Sequence, residues 1–374
     1  MPSIAISGYY GFHNCGDEAM LGAMVGALRD RLPGCRLTVF SREPRATAGF
    51  HGVEAVPRDD LRAIWQCLSR VDLLISGGGG LLQDVTGWPS IAYYLGVVKM
   101  ARLQRKPVFF YGQGIGPVQT GLGRMLMRYV VNQVDFVTVR DEDSREELRR
   151  LGVRRPPVQV TADPALGLDV SGADPARGWR RLAAAGVTRG RPVAGFSVRR
   201  WRDSSSYLEV IARVGDDLSR SGWQVVLVPM HYPADLEPSR EVLAHMATPG
   251  FLLSEPCSYL DLLDVFPAFD FVLGMRLHFL IFGALFHLPL AGVAYDPKIN
   301  HFLKLMELPL SQSLGDLDYG ALSERVRWLL GRRDVLGDRT AALVGSLRRL
   351  AAMSADLVRD FLAARGAAGH RAGE

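Results

Sequence analysis

Short apolar runs alternate along this chain with glycine-rich or charged loops and with stretches of helical spacing. Ser3 to Gly8 is a β-branched run closed by glycine. Arg36 to Phe40, Val53 to Val56, Val71 to Ser76, Pro107 to Tyr111, Asp135 to Val139 and Val158 to Thr161 repeat the pattern. Helical spacing intervenes at Ala19 to Leu32, with apolar positions at Met20, Leu21, Met24, Val25 and Leu28, and again at Leu61 to Ser69 and Leu122 to Gln133. Strands separated by helices predict parallel pairing, because each helix carries the chain back to the sheet edge where the previous strand began.

The series pauses at Gly167 to Pro192, which is rich in Gly, Ala, Pro and Arg and holds a short helix over Trp179 to Ala185. It resumes with strands at Val193 to Val198, Trp223 to Pro229, Phe251 to Leu253, Phe271 to Leu273 and Leu290 to Ala294. Helices fall between them at Tyr207 to Ser221, Ser258 to Phe266 and Leu277 to Phe286. Amphipathic helices at Leu322 to Leu330 and Arg339 to Ala364 follow, then a tail, Gly366 to Glu374, expected to be frayed. The expected fold class is α/β, with two Rossmann-like domains facing across a cleft. The first covers 1–170, on the acceptor side, and the second 171–345, on the donor side. A closing helix and tail, 346–374, would cross back to the first domain.

Composition narrows the class. The 374 residues are 48% hydrophobic and 22% charged, an ordinary globular balance. No apolar run approaches the roughly 20 residues that span a bilayer. The first residues lack a basic region and lead directly into a strand, so no signal peptide is expected. Cys15, Cys35, Cys67 and Cys257 are scattered without a CxxC pair, which points to a reduced, cytoplasmic protein without a zinc site or a disulfide framework. A net charge of +5 suits an anionic substrate or a membrane surface, and no nucleic-acid partner is expected.

Candidate chemistry gathers where strands end. Gly274-Met275-Arg276-Leu277-His278 follows one strand and Asp296-Pro297-Lys298 follows the next. Parallel strands put both loops on one edge, where ligands of open α/β sheets bind. Arg276, His278 and Lys298 there suit a small, highly charged anion, although Arg276 is equally explained as an ion pair with a helix carboxylate. Gly77 to Gly80, including Gly78 and Gly79, and Gly112-Gln113-Gly114 allow a close backbone approach to a ligand or a facing chain. Gly16 and Asp17 open a helix; Asp17 either caps it or orients and deprotonates a sugar hydroxyl. Arg140 stands at a strand tip before Asp141-Glu142-Asp143, which reads as an acidic first helical turn capped by Asp143 or Ser144 rather than as a metal site. Arg199 and His231 also end strands and are expected to line the cleft. Trp88, Tyr93 and Tyr94 can stack on sugars or pack in the core.

Gly8-Tyr9-Tyr10-Gly11, Asn14-Cys15-Gly16-Asp17-Glu18, Ser76-Gly77-Gly78-Gly79, Gly112-Gln113-Gly114-Ile115-Gly116-Pro117, Arg140-Asp141, Asp163-Pro164 and Gly274-Met275-Arg276-Leu277-His278 occur in this order. Together they resemble the polysaccharide pyruvyl transferase family, and most of all its members that pyruvylate secondary cell-wall polymers for S-layer anchoring. The resemblance implies a GT-B-like fold, phosphoenolpyruvate as co-substrate with no further cofactor, and a pyruvate ketal formed on a sugar. It implies a lipid-linked or nucleotide-activated sugar acceptor, and with the former a peripheral contact with the inner membrane face, for which Arg348, Arg349, Arg359 and Arg365 are candidates. It gives donor roles to Arg140, His278 and Lys298. Whether His278 acts as acid or base stays open. Two other readings compete: a nucleotide-sugar glycosyltransferase, and a non-catalytic sugar-polymer binding protein, both on the same fold.

Overall fold

The structure, a computed structural model, describes residues 1–84, 88–201 and 205–371, without the side chains of 88, 89 and 366–371. The stacking role considered for Trp88 therefore lies outside the described residues. The chain forms two compact units. One comprises Met1–Phe12, Asp17–Leu168 and Leu347–Glu374, the other His13–Gly16 and Asp169–Ser346.

In the first unit, eight strands form one parallel sheet: β1 (Ser3–Tyr10), β2 (Arg36–Ser41), β3 (Glu54–Pro57), β4 (Leu73–Ser76), β5 (Gly79–Leu82), β6 (Val108–Ile115), β7 (Phe136–Val139) and β8 (Val158–Val160). Their spatial order is β3-β2-β1-β4-β6-β7-β8, with β5 paired to β6. Both faces are covered, so the central strands are apolar on both sides rather than alternating. Ala5, Leu74, Phe110 and Val137 face one cluster, and Ile4, Ile6, Leu73, Ile75 and Phe109 the other.

The second cluster includes Ala355 and Val358 from a single helix, Arg333–Arg371, whose later part belongs to this unit. That helix starts before the expected Arg339 and runs into the expected tail as far as Arg371, because its lone glycines cost only about 1 kcal/mol each and no proline interrupts it. Ser354 Oγ lies 3.1 Å from both Thr138 Oγ1 and Thr161 Oγ1. Arg348 donates to the Leu168 carbonyl at 3.0 Å, Arg359 pairs with Asp356 and Asp360, and Arg365 lies 3.4 Å from Asp135. These arginines thus fasten or solvate the helix within its own unit. Among the described residues no helix is long and apolar enough to cross a membrane.

The second unit has five parallel strands, β9 (Val193–Ser197), β10 (Gln224–Leu227), β11 (Phe251–Leu252), β12 (Phe271–Gly274) and β13 (Leu290–Gly292), in the order β11-β10-β9-β12-β13. The order reverses between β9 and β12, so a crevice opens at their carboxyl ends, the usual ligand position in such sheets. Four α-helices of the described residues were not read from the sequence: Pro44–His51, Trp88–Leu103, Leu236–His245 and Pro297–Leu305. The last begins at Pro297, a residue preorganised for the first helical position. The acidic turn after Arg140 is capped by Asp141 rather than Asp143 or Ser144, and the Ser144 hydroxyl accepts from the Ile115 amide.

The helix Pro175–Ala184 packs closely on Tyr259–Val265 at Gly178. A β-carbon there would stand 1.9 Å from the Asp264 carbonyl oxygen, a backbone atom that cannot swing aside. Alanine improves helix propensity by about 1 kcal/mol, but overpacking of this kind costs about 1–3 kcal/mol or more. Gly178→Ala is therefore expected to destabilise the protein, read as a lower denaturation midpoint in urea.

Candidate functional site

Register assembles one edge of the second unit. Ser197, Gly274 and Gly292 lie side by side on β9, β12 and β13. The residues that follow emerge together: Arg199 after β9, Arg276 after β12, and Tyr295 to Lys298 after β13. Gly274 is closed in; a β-carbon there would meet Phe279 at 3.0 Å and Leu280 at 3.1 Å, so its role is packing of the following helix against the strand end.

The cations of this edge differ in their partners. Arg276 turns its fork onto Asp235, with Nε donating to Oδ2 at 2.9 Å and Nη2 to Oδ1. Asp235 is 1% exposed at its side chain and also accepts the amides of Met230 and His231. One buried carboxylate thereby fixes the Arg276 guanidinium and the backbone at His231. Lys298 stands in the first turn of Pro297–Leu305, 3.5 Å from Asp296, the residue that caps that helix, and its ammonium lies 5.1 Å from the centre of the Tyr295 ring. Arg199 donates from Nη1 to the Tyr295 hydroxyl at 2.9 Å. Burial would push the Tyr295 phenol up, but Lys298, Arg199 and Arg276 outweigh it and hold its pKa below the ordinary value. That direction reports a positive field from three side chains at one point.

His278 is the second residue of Leu277–Leu285, beside this field. Its imidazole is seated against Gly16, where a β-carbon would lie 2.1 Å from Nδ1 and 2.5 Å from Cγ. The segment carrying Gly16 belongs to the second unit: Asn14 pairs antiparallel with His231, and the Cys15 amide donates to the Met230 carbonyl at 2.8 Å. Gly16 and His231, expected as loop residues, thus sit in the surroundings of His278 and Arg276. Tyr295 and Asp235 complete the arrangement and were not singled out in the sequence. Tyr295 stands just before the Asp-Pro-Lys turn; Asp235 is 41 positions from Arg276 with no local signal joining them. A cavity of about 510 Å³ in the same unit, lined by Arg177, Arg181, Leu253 and Cys257 among others, holds none of these residues.

The remaining candidates belong to the first unit. Arg140 is 9% exposed; it lies 3.2 Å from Asp163 and 3.4 Å from Asp141, with Gly114 leaving room for its guanidinium. Asp17 stands beside the glycine loop, where a β-carbon on Gly79 would lie 3.3 Å from its Oδ1. Three of the four loop glycines make room for the chain itself. Added carbons at Gly77, Gly78 and Gly79 would meet Tyr10, Pro164 and Met20, and only at Gly80 is the space open. Gln113 is fully buried, and neither end of its amide has a hydrogen-bond partner among the described residues. The same holds for the Tyr10 hydroxyl, whose pKa is pushed well above the usual range by burial and by Asp17 and Glu18. Such groups are costly unless something polar answers them. Tyr93 and Tyr94 form a partly buried pair with Arg58 over their rings.

Comparison with known proteins agrees with this architecture. The chain is 24% identical over 321 residues to the amylovoran biosynthesis protein AmsJ of Erwinia amylovora, covering 81% of this chain and 76% of that protein. Among solved structures, Anabaena Alr3699/HepE in complex with UDP-glucose superposes with a TM-score of 0.64 at 13% identity, covering 98% of this chain and all of that one. The UDP-GlcNAc 2-epimerase of Neisseria meningitidis, bound to UDP-GlcNAc, superposes with a TM-score of 0.62 at 11% identity, covering 97% and 99%. At such identities the structural likeness speaks for the fold, a pair of Rossmann-like units of GT-B type. Residues 14–297 match the profile of the family described as Polysaccharide pyruvyl transferase, well over half of the chain. The chain belongs to the polysaccharide pyruvyl transferase family.

Proposed function

We propose that this protein transfers the pyruvyl group of phosphoenolpyruvate to two hydroxyls of one sugar in a polysaccharide precursor, forming a ketal and releasing phosphate. The observation that carries the reading is the convergence of Arg199, Arg276 and Lys298 on Tyr295, at the edge that also bears His278. Phosphoenolpyruvate is a small anion with a carboxylate and a phosphate on one enol carbon, and a site of several fixed cations suits it.

The atoms balance without a redox partner. The methylene carbon gains a proton and becomes the methyl group. One sugar hydroxyl adds to the neighbouring carbon, the phosphate–carbon bond breaks, and the second hydroxyl takes the place of phosphate. Of the two hydroxyl protons, one is matched by the new C–H bond and the other leaves with phosphate. Lys298 answers the charge on the departing phosphate, and His278 moves the proton. Arg140 and Asp17 belong to the proposal through their motifs, as a donor contact and a hydroxyl-orienting carboxylate. The acceptor classes to try are a lipid-linked sugar and a nucleotide-linked one. The second is suggested by the fold neighbours bound to UDP-glucose and UDP-GlcNAc. The relative named for amylovoran biosynthesis extends the polymers to consider beyond those of S-layer anchoring.

The central test is phosphate release from phosphoenolpyruvate in the presence of an acceptor panel. His278→Ala is expected to lower the rate by about 10²–10⁴-fold. An unchanged rate would remove His278 from the chemistry. Tight calorimetric binding of a UDP-sugar with no response to phosphoenolpyruvate would favour the glycosyltransferase reading instead.

Gly16→Ala probes the seat of the imidazole. The added methyl group has no room beside Nδ1, so His278 must move, and misplacing a catalytic group by about 1 Å can cost on the order of 100-fold. The expected result is a large fall in kcat with phosphoenolpyruvate affinity within a few-fold of the parent. Unchanged kcat would show that the ring tolerates displacement.

A further inference from the structure

Arg199 differs from the cations around it. Arg276 has Asp235, Lys298 has Asp296, and the adjacent Arg200 has Glu237 and Glu241. Among the described residues Arg199 has no carboxylate partner. Its hydrogen bond goes to a phenol, which carries no charge when protonated. Its Nε is buried and meets no acceptor. An unanswered buried donor costs about 1–3 kcal/mol, more when it is charged.

The guanidinium is nonetheless held in place. Its carbon lies 4.6 Å from the centre of the Tyr295 ring and 5.3 Å from that of Trp201. The two rings are 4.7 Å apart at 55°. The Tyr295 hydroxyl takes Nη1, and among the described residues the Nε–Nη2 edge makes no hydrogen bond. Two parallel N–H bonds from such an edge match the two oxygens of a planar carboxylate. An ammonium on a flexible stem, as at Lys298, imposes no such geometry and serves a phosphate as a point charge.

We propose that Arg199 binds the carboxylate of the donor and sets the preference of this edge for a carboxylated phosphoester over a plain phosphate. The assignment rests on phosphoenolpyruvate being the donor, and gives Arg199, expected from the sequence only to line the cleft, a role toward that donor. Tyr295 is a positioning residue in this arrangement, and the lowered pKa of its phenol is consistent with the same positive field.

The test is calorimetry on the full-length protein with two probes, phosphoenolpyruvate and inorganic phosphate, for the parent, Arg199→Ala and Arg199→Lys. Loss of a charge-assisted fork should weaken phosphoenolpyruvate by about 10- to 100-fold while phosphate stays within about twofold. Arg199→Lys should recover only part of the loss, because it restores charge without the fork. If Arg199→Ala fails to fold, Arg199→Lys alone decides, through weaker phosphoenolpyruvate with unchanged phosphate. Equal weakening of both probes would overturn the carboxylate assignment, and so would unchanged binding of phosphoenolpyruvate. A parent protein that binds phosphate but not phosphoenolpyruvate would sink the donor reading and this assignment with it. The two failures are distinguished by the parent measurement.

Discussion

Parallel pairing of β9, β12 and β13 is the constraint from which the second unit's chemistry follows. Backbone hydrogen bonds bring Ser197, Gly274 and Gly292 level, so whatever the chain carries next must emerge at one edge. The reversal of strand order between β9 and β12 opens that edge, because the helices following the two strands depart to opposite sides. Arg199 and Arg276 stand on either side of this point. Neither needs a long-range attraction to reach it; the sheet delivers both.

What the sheet delivers, counter-charges then sort. A buried guanidinium without a carboxylate is expensive, and a buried carboxylate equally so, which makes the Arg276–Asp235 pair a means of holding geometry rather than a source of net stability. Asp235 also receives two backbone amides, so the same carboxylate sets the turn at His231. Lys298 and Asp296 are more exposed, and water shares their charge. Arg199 is left with a phenol and two aromatic faces. Cations paired with carboxylates and one that meets none among the described residues thus stand together at this edge.

Glycine serves two purposes in this fold. At Gly77 to Gly79 and Gly114 the missing side chain makes room for the protein's own Tyr10, Pro164, Met20 and Arg140. The glycine loop, expected to let the backbone approach a ligand or a facing chain closely, does so at three of its four positions toward the protein's own side chains. At Gly16 the missing side chain makes room for His278, which ties the segment His13–Gly16 to the second unit although the strand and most of the helix around it belong to the first. The same residue type in the same kind of loop therefore supports architecture in one case and a titratable group in the other.

The alternation of apolar runs, glycine loops and helical spacing was enough to predict two parallel α/β series, their loops and a closing helix. Hydrophobic burial and strand–helix connection are rules of local pattern, so they can be read along the chain. Ordered motifs likewise pointed to the family, and to His278, Lys298 and Arg276 at one edge. The partners were not legible. Asp235 on Arg276, Tyr295 on Arg199, and Gly16 against His278 join positions tens to hundreds of residues apart. Only sheet register and helix packing bring such residues together, and no local spacing announces which carboxylate will meet which guanidinium. The sequence by itself determined the scaffold and the kinds of side chain at its edge; tertiary structure decided which charges meet a carboxylate and which do not, because only the fold brings distant residues within contact.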